Sequence, residues 1–152
     1  MALLSDDESA RLRELLDRKL KADVTLVHFT RHTSRVVVPG GEPCPSCDDT
    51  EALLGELAGT SDHLALEVHD IAAEPDLALA HGIDKVPATV LVGPGARGLV
   101  RLFGLPSGYE FATLLEDLID VSAAHDDLSD DTRAVLDALT HDVHLQVFVT
   151  PT

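Results

Sequence analysis

The chain has 152 residues, of which 45% are hydrophobic and 25% charged, and carries a formal net charge of −16 at pH 7. That length supports one α/β domain with extensions rather than two full domains, and the composition is globular rather than disordered. The acid excess argues against nucleic acid and anionic membrane as partners, since Lys and Arg must meet their phosphates, and no apolar run approaches the ~20 residues of a membrane helix.

The first residues, "MALLSDDESARL", lack a basic stretch followed by an apolar core, so a cytoplasmic location is expected. Residues 5 to 20, "SDDESARLRELLDRKL", start with a Ser5 and Glu8 capping pattern and place Leu12, Leu15, Leu16 and Leu20 on one helical face. "DVTLVHFT", residues 23 to 30, is β-branched and apolar, which predicts a central strand. Residues 31 to 43, "RHTSRVVVPGGEP", fit a small hairpin or an irregular loop equally well.

"CPSCDDTEALLGELA", residues 44 to 58, predicts a helix with Pro in its first turn, acids near its start and Gly59 as its stop. A strand over 63 to 70 and a short helix over 74 to 82 follow, the latter ended by Gly82. "VPATVLV" and "GLVRLFG", split by "GPGAR", predict an antiparallel hairpin, and residues 108 to 122 a strongly periodic helix. The order β-α-β-α-β-β-α implies a four-stranded mixed sheet with helices on both faces and the first two strands parallel. Beyond it, "SDDTRAVLDALT" (129 to 140) predicts a capped helix and "DVHLQVFVT" (142 to 150) a strand, repeating the order that opens the domain.

Cys44 and Cys47 are the chain's two cysteines. Three apart in a helix's first turn, they share a face at a separation of about 5–6 Å, so dithiol and disulfide are both geometrically open. The helix start favours a thiolate at Cys44, making it the attacking thiol and Cys47 the resolving one, while Glu42, Asp48 and Asp49 oppose that thiolate. Two structural thiols would sit in apolar surroundings, which these do not. A zinc site wants about four ligands; His28 and His32 would have to complete it, and four residues apart on a strand they lie about 13 Å from each other. No metal and no cofactor is expected.

The element order, "CPSC" at a helix head and "VPATVLV" opening the third strand resemble the thioredoxin fold. "RLFGLPSGYEFATLLEDLIDVS" and "VHLQVFVTPT" resemble the protein disulfide oxidoreductases, glutaredoxin-like proteins built of two tandem thioredoxin units. The resemblance implies an α/β thioredoxin-like unit over residues 1–122, with 123–152 a linker, helix and strand that start a second unit. It implies a catalytic pair at Cys44 and Cys47 acting on protein disulfides, and a cis Val86–Pro87 bond whose backbone holds extended substrate. His28 stands at about the position where thioredoxins carry a buried acid, which leaves two roles open: a histidine tied to the fold, the expected one, or a group that exchanges a proton with the resolving thiol.

In that family a second CxxC follows a "TPT"-like sequence, where this chain ends at Thr152. Expected partners are protein disulfides and a reductant of the thioredoxin-reductase or glutathione type. A C-terminal strand that lacks a sheet of its own is expected to pair with an edge, to swap into a second copy and so form a homodimer, or to remain disordered. The alternative function is a redox-weak docking module, suggested by the 31–43 insertion and the acids around the cysteines.

Overall fold

The computed structural model describes residues 3–32, 43–123 and 128–149. All but the ends of the expected hairpin or loop over 31–43 therefore lie outside the described residues.

Helix α1, Asp6–Lys19, starts where its sequence says it should. The Ser5 hydroxyl accepts from the Glu8 amide, and the Glu8 carboxylate accepts in return from the Ser5 amide at 2.9 Å, so two amides at the helix start have partners. Strand β1, Val24–Thr30, and helix α2, Cys47–Ala58, follow, then β2, Leu64–Asp70, and α3, Pro75–Ala80. The hairpin strands are β3, Ala88–Val92, and β4, Val100–Phe103; α4, Tyr109–Ser122, and α5, Asp130–Asp137, complete the described elements.

The sheet order is β2-β1-β3-β4. β1 runs parallel to β2, with Val24 opposite Leu64 and Thr30 opposite Asp70, and antiparallel to β3, with Thr25 opposite Val92 and Phe29 opposite Ala88. β4 closes the sheet antiparallel to β3. The mixed four-stranded sheet flanked by helices is the one the sequence predicts.

Alternation along β1 divides the core. Val24 and Leu26 join Leu12 and Leu16 of α1, Leu54 and Leu57 of α2, and Leu114 and Leu118 of α4. Val27 and Phe29 point the other way, into a smaller cluster with Ala78 of α3, Ile83, Ala88 and Val90. Each fully buried Leu or Phe is worth about 1.5–3 kcal/mol relative to exposure, so both faces hold the sheet, the first more strongly. α3 ends as expected: Gly82 adopts φ 64°, and a Cβ there would collide with the Arg101 guanidinium, which donates to the Gly82 carbonyl at 2.9 Å.

The tail departs from expectation. α5 forms, capped by Ser129, whose hydroxyl accepts from the Thr132 amide at 3.2 Å, but it buries none of its residues. Residues 142–149 form no strand, and Val143, Leu145, Val147, Phe148 and Val149 are all exposed. A strand exists only as part of a ladder, and neither edge of the sheet, β2 or β4, pairs with this segment. β-propensity therefore has nothing to act on.

Candidate active site

Topology gathers the predicted residues at one end of the sheet. β1 finishes there at Thr30, α2 begins there, β3 starts there and β4 ends there. Continuing the β1–β3 register one step places Pro87 beside Thr30.

Cys44 and Cys47 are joined by a disulfide, with Cα atoms 5.5 Å apart. The two are not equivalent: Cys47 is fully buried, whereas Cys44 is partly exposed. The helix also begins later than the sequence suggests. Cys47, not Cys44, is its first residue, and Cys44 sits in a turn closed by the Cys47 amide donating to the Cys44 carbonyl at 3.4 Å. The Ser46 carbonyl accepts the first helical bond, from the Thr50 amide at 3.0 Å, and also the Thr50 hydroxyl at 2.6 Å. The Ser46 side chain caps no amide, so the amides of the first turn face the disulfide end of α2 without a side-chain cap. Asp48 and Asp49, in the same turn, are exposed.

The Val86–Pro87 peptide bond is cis, and Pro87 is buried. The Pro87 carbonyl accepts from the Gly104 amide at 2.9 Å, tying this loop to the end of β4. Val86, half-buried just before β3, makes no backbone hydrogen bond with another described residue.

His28 is fully buried on the β1 face that carries Val24 and Leu26, the face covered by α2. Its Nδ1 is hydrogen-bonded to the Thr89 hydroxyl at 3.1 Å, directly across the β1–β3 ladder, and its Nε2 has no partner among the described residues. Burial pushes its pKa down to about 4, with the Ala88 carbonyl acting in the opposite direction and His32 adding to the depression. His28 is thus neutral at pH 7. Thr30, two residues on along the same face, also has a buried hydroxyl without a partner among the described residues. His32 is exposed, and its amide donates to the Asp70 carboxylate at 3.0 Å. Burial works against ionisation at Asp70, but the amides of His32, Ala72 and Ala73 outweigh it and hold the carboxyl below its usual range.

Sequence reasoning missed Thr89 and Gly104. Thr89 was visible only as one polar residue in an apolar strand. Its role depends on which residue faces it across the ladder, and a single strand's sequence does not specify that. Gly104, which adopts φ 93°, likewise reads as a turn glycine until its amide is seen on the Pro87 carbonyl.

The sequence matches no protein-family model and no curated protein. Solved structures do match. A protein disulfide oxidoreductase from Aeropyrum pernix superposes with a TM-score of 0.71 at 25% identity, over 89% of this chain and 55% of that one. The alkylhydroperoxide reductase AhpF of Enterococcus faecalis gives 0.69 at 23% identity, over 90% and 61%, and its separately solved N-terminal portion 0.66 at 22%, over 86% and 58%. The chain spans less than two thirds of each of these proteins. Its fold is thioredoxin-like, with a CxxC disulfide at the head of the helix that follows the first central strand.

Proposed function

We propose that the chain works as a thiol–disulfide oxidoreductase unit on protein disulfides. The observation that carries this reading is the asymmetry of the disulfide at the start of α2, with Cys44 reachable from solvent and Cys47 fully buried behind it. In the reduced protein the Cys44 thiolate attacks one sulfur of a substrate disulfide, breaking that bond and releasing a substrate thiolate. Cys47 then attacks Cys44 in the mixed disulfide, freeing the second substrate thiol and restoring the Cys44–Cys47 bond. Two electrons pass to the substrate. A thiol reductant of the glutathione type, or a thioredoxin-reductase-like enzyme, returns them in a reducing compartment such as the cytoplasm.

Other residues take roles in the same reading. The uncommitted backbone of Val86, held beside buried Pro87, pairs with an extended substrate segment. His28, neutral and anchored by Thr89, receives the proton that Cys47 must lose before it can attack. Residues 1–122 form the working unit, and 123–152 start a second one.

Substituting Cys44→Ser should abolish reduction of insulin disulfides by the protein. Cys47→Ser should leave the substrate trapped on Cys44 as a mixed disulfide visible by mass spectrometry. Full reductase activity in Cys44→Ser would sink the proposal.

One observation favours a second reading, a redox-weak docking module that also self-associates through the C-terminal segment: Val135 and Leu136 of α5 and the apolar side chains of 143–149 are exposed. Equilibration with a glutathione redox buffer separates the two. An oxidoreductase pair shifts between dithiol and disulfide within the buffered range, and an inert pair stays put.

A further inference from the structure

A groove of about 380 Å³ opens beside the first turn of α2. Its apolar walls are Leu53 of α2, Leu105 and Pro106 from the loop after β4, Phe111 of α4, and Leu3 and Leu4 of the N-terminal segment. That last wall is fixed by one side chain. The Glu56 carboxylate accepts from the Leu3 amide at 2.8 and 3.0 Å and from the Leu4 amide at 2.7 Å. Asp49, Leu53 and Glu56 follow one another at helical spacing along the same face of α2, so the helix that carries the disulfide also positions the strap.

The polar margin has one sign. Asp49 lines the groove, and Glu110 lines an adjoining hollow that shares Pro106 with it and continues past Leu102 and Phe103. No Lys or Arg lines either one among the described residues; the Lys85 ammonium lies over the Phe103 ring, 5.5 Å from its centre, at the far margin. An apolar floor with an acidic rim suits a ligand with an apolar group followed by a cation, whose aliphatic stem rests on the floor while its head meets the carboxylates.

We propose that this groove selects the disulfide-bearing polypeptide by taking an apolar side chain near its cysteine together with a neighbouring Lys or Arg, and that Glu56 is the positioning residue that holds the Leu3–Leu4 wall. The selection rests on the oxidoreductase reading above; Asp49, in the first turn of the helix that Cys47 begins, is the lining residue that joins the groove to the disulfide end of α2.

The test uses the whole chain, reduced with dithiothreitol and freed of it, in single turnover against three disulfide peptides whose cysteines are flanked by Leu and Lys, Leu and Glu, or Ser and Lys. Hydroxyethyl disulfide serves as a probe without side chains. The Leu–Lys peptide should be opened about tenfold faster than either of the others at low concentration, the difference lying in KM. In Glu56→Ala the Leu-over-Ser preference should shrink severalfold, and in Asp49→Asn the Lys-over-Glu preference should shrink while the Leu preference stays. Equal rates for all three peptides, with hydroxyethyl disulfide still reduced, overturn the groove assignment and leave the oxidoreductase reading standing. Preferences untouched by both substitutions overturn it as well. Failure to reduce any of the four disulfides overturns both readings. A concentration-dependent dimer in which the preferences vanish assigns the groove to the apolar tail of a second copy instead.

Discussion

Residues 5–30 and 129–149 carry nearly the same message and meet different fates. Each opens with Ser-Asp-Asp, continues into an amphipathic helix and leads to a β-prone segment, "DVTLVHFT" in one and "DVHLQVFV" in the other. Both serines cap their helices. Yet Leu16 of α1 and Phe29 of β1 are fully buried, whereas Phe148 is 89% exposed and no residue of α5 is buried. Capping is satisfied within a few residues, so it survives without a tertiary context. A strand and an apolar face depend on distant partners, and only the first copy has β2, β3, α2 and α4 to supply them.

Core truncation should separate the copies most widely. Phe29→Ala should cost about 3–5 kcal/mol in chemical denaturation, and Phe148→Ala should stay within about 0.5 kcal/mol of the parent. A large loss from Phe148→Ala would mean that the tail is covered in solution, by a second copy or by the sheet.

Acid should act on the first copy through His28. Its folded-state pKa, about 4, lies below the ordinary value of 6.5, so the unfolded chain takes up this proton first as pH falls. The stability held by neutral His28 is complete above about pH 6.5 and is lost progressively towards pH 4, on the order of 3 kcal/mol in all. Denaturation midpoints measured across that window should fall less steeply in His28→Gln than in the parent. Parallel slopes would refute a buried neutral imidazole.

The smallest contrast concerns the caps. Ser5→Ala should lower global stability by about 1 kcal/mol, because α1 is packed into the core. Ser129→Ala should fray α5, seen as faster amide exchange over 130–137, and leave the global unfolding midpoint where it was. If both substitutions move the midpoint equally, α5 is docked after all.

The candidate site was legible in its covalent chemistry and illegible in its environment. "CPSC" before a periodic helix and "VPAT" before a β-prone run located the cysteines and the proline, because those signals are local and depend on residue type. The start of α2 was misplaced by three residues, since Pro45 suits a first helical turn and equally a turn preceding a helix. His28 was singled out by the resemblance, as the residue standing about where thioredoxins carry a buried acid. Its Thr89 partner depended on ladder register, and the Leu3–Leu4 wall on a carboxylate more than fifty residues away.

By itself, then, the sequence determined the order of the elements, the Ser5 and Ser129 caps, the central place of β1 and the identity of the cysteine pair, all of which follow from residue types and spacing within a few residues. Only the tertiary structure decided which cysteine is exposed, what faces His28, where the Glu56 carboxylate reaches, and that 142–149 forms no strand. Each of these requires a second segment to arrive from elsewhere in the chain, and nothing in a segment's own residues specifies its partner.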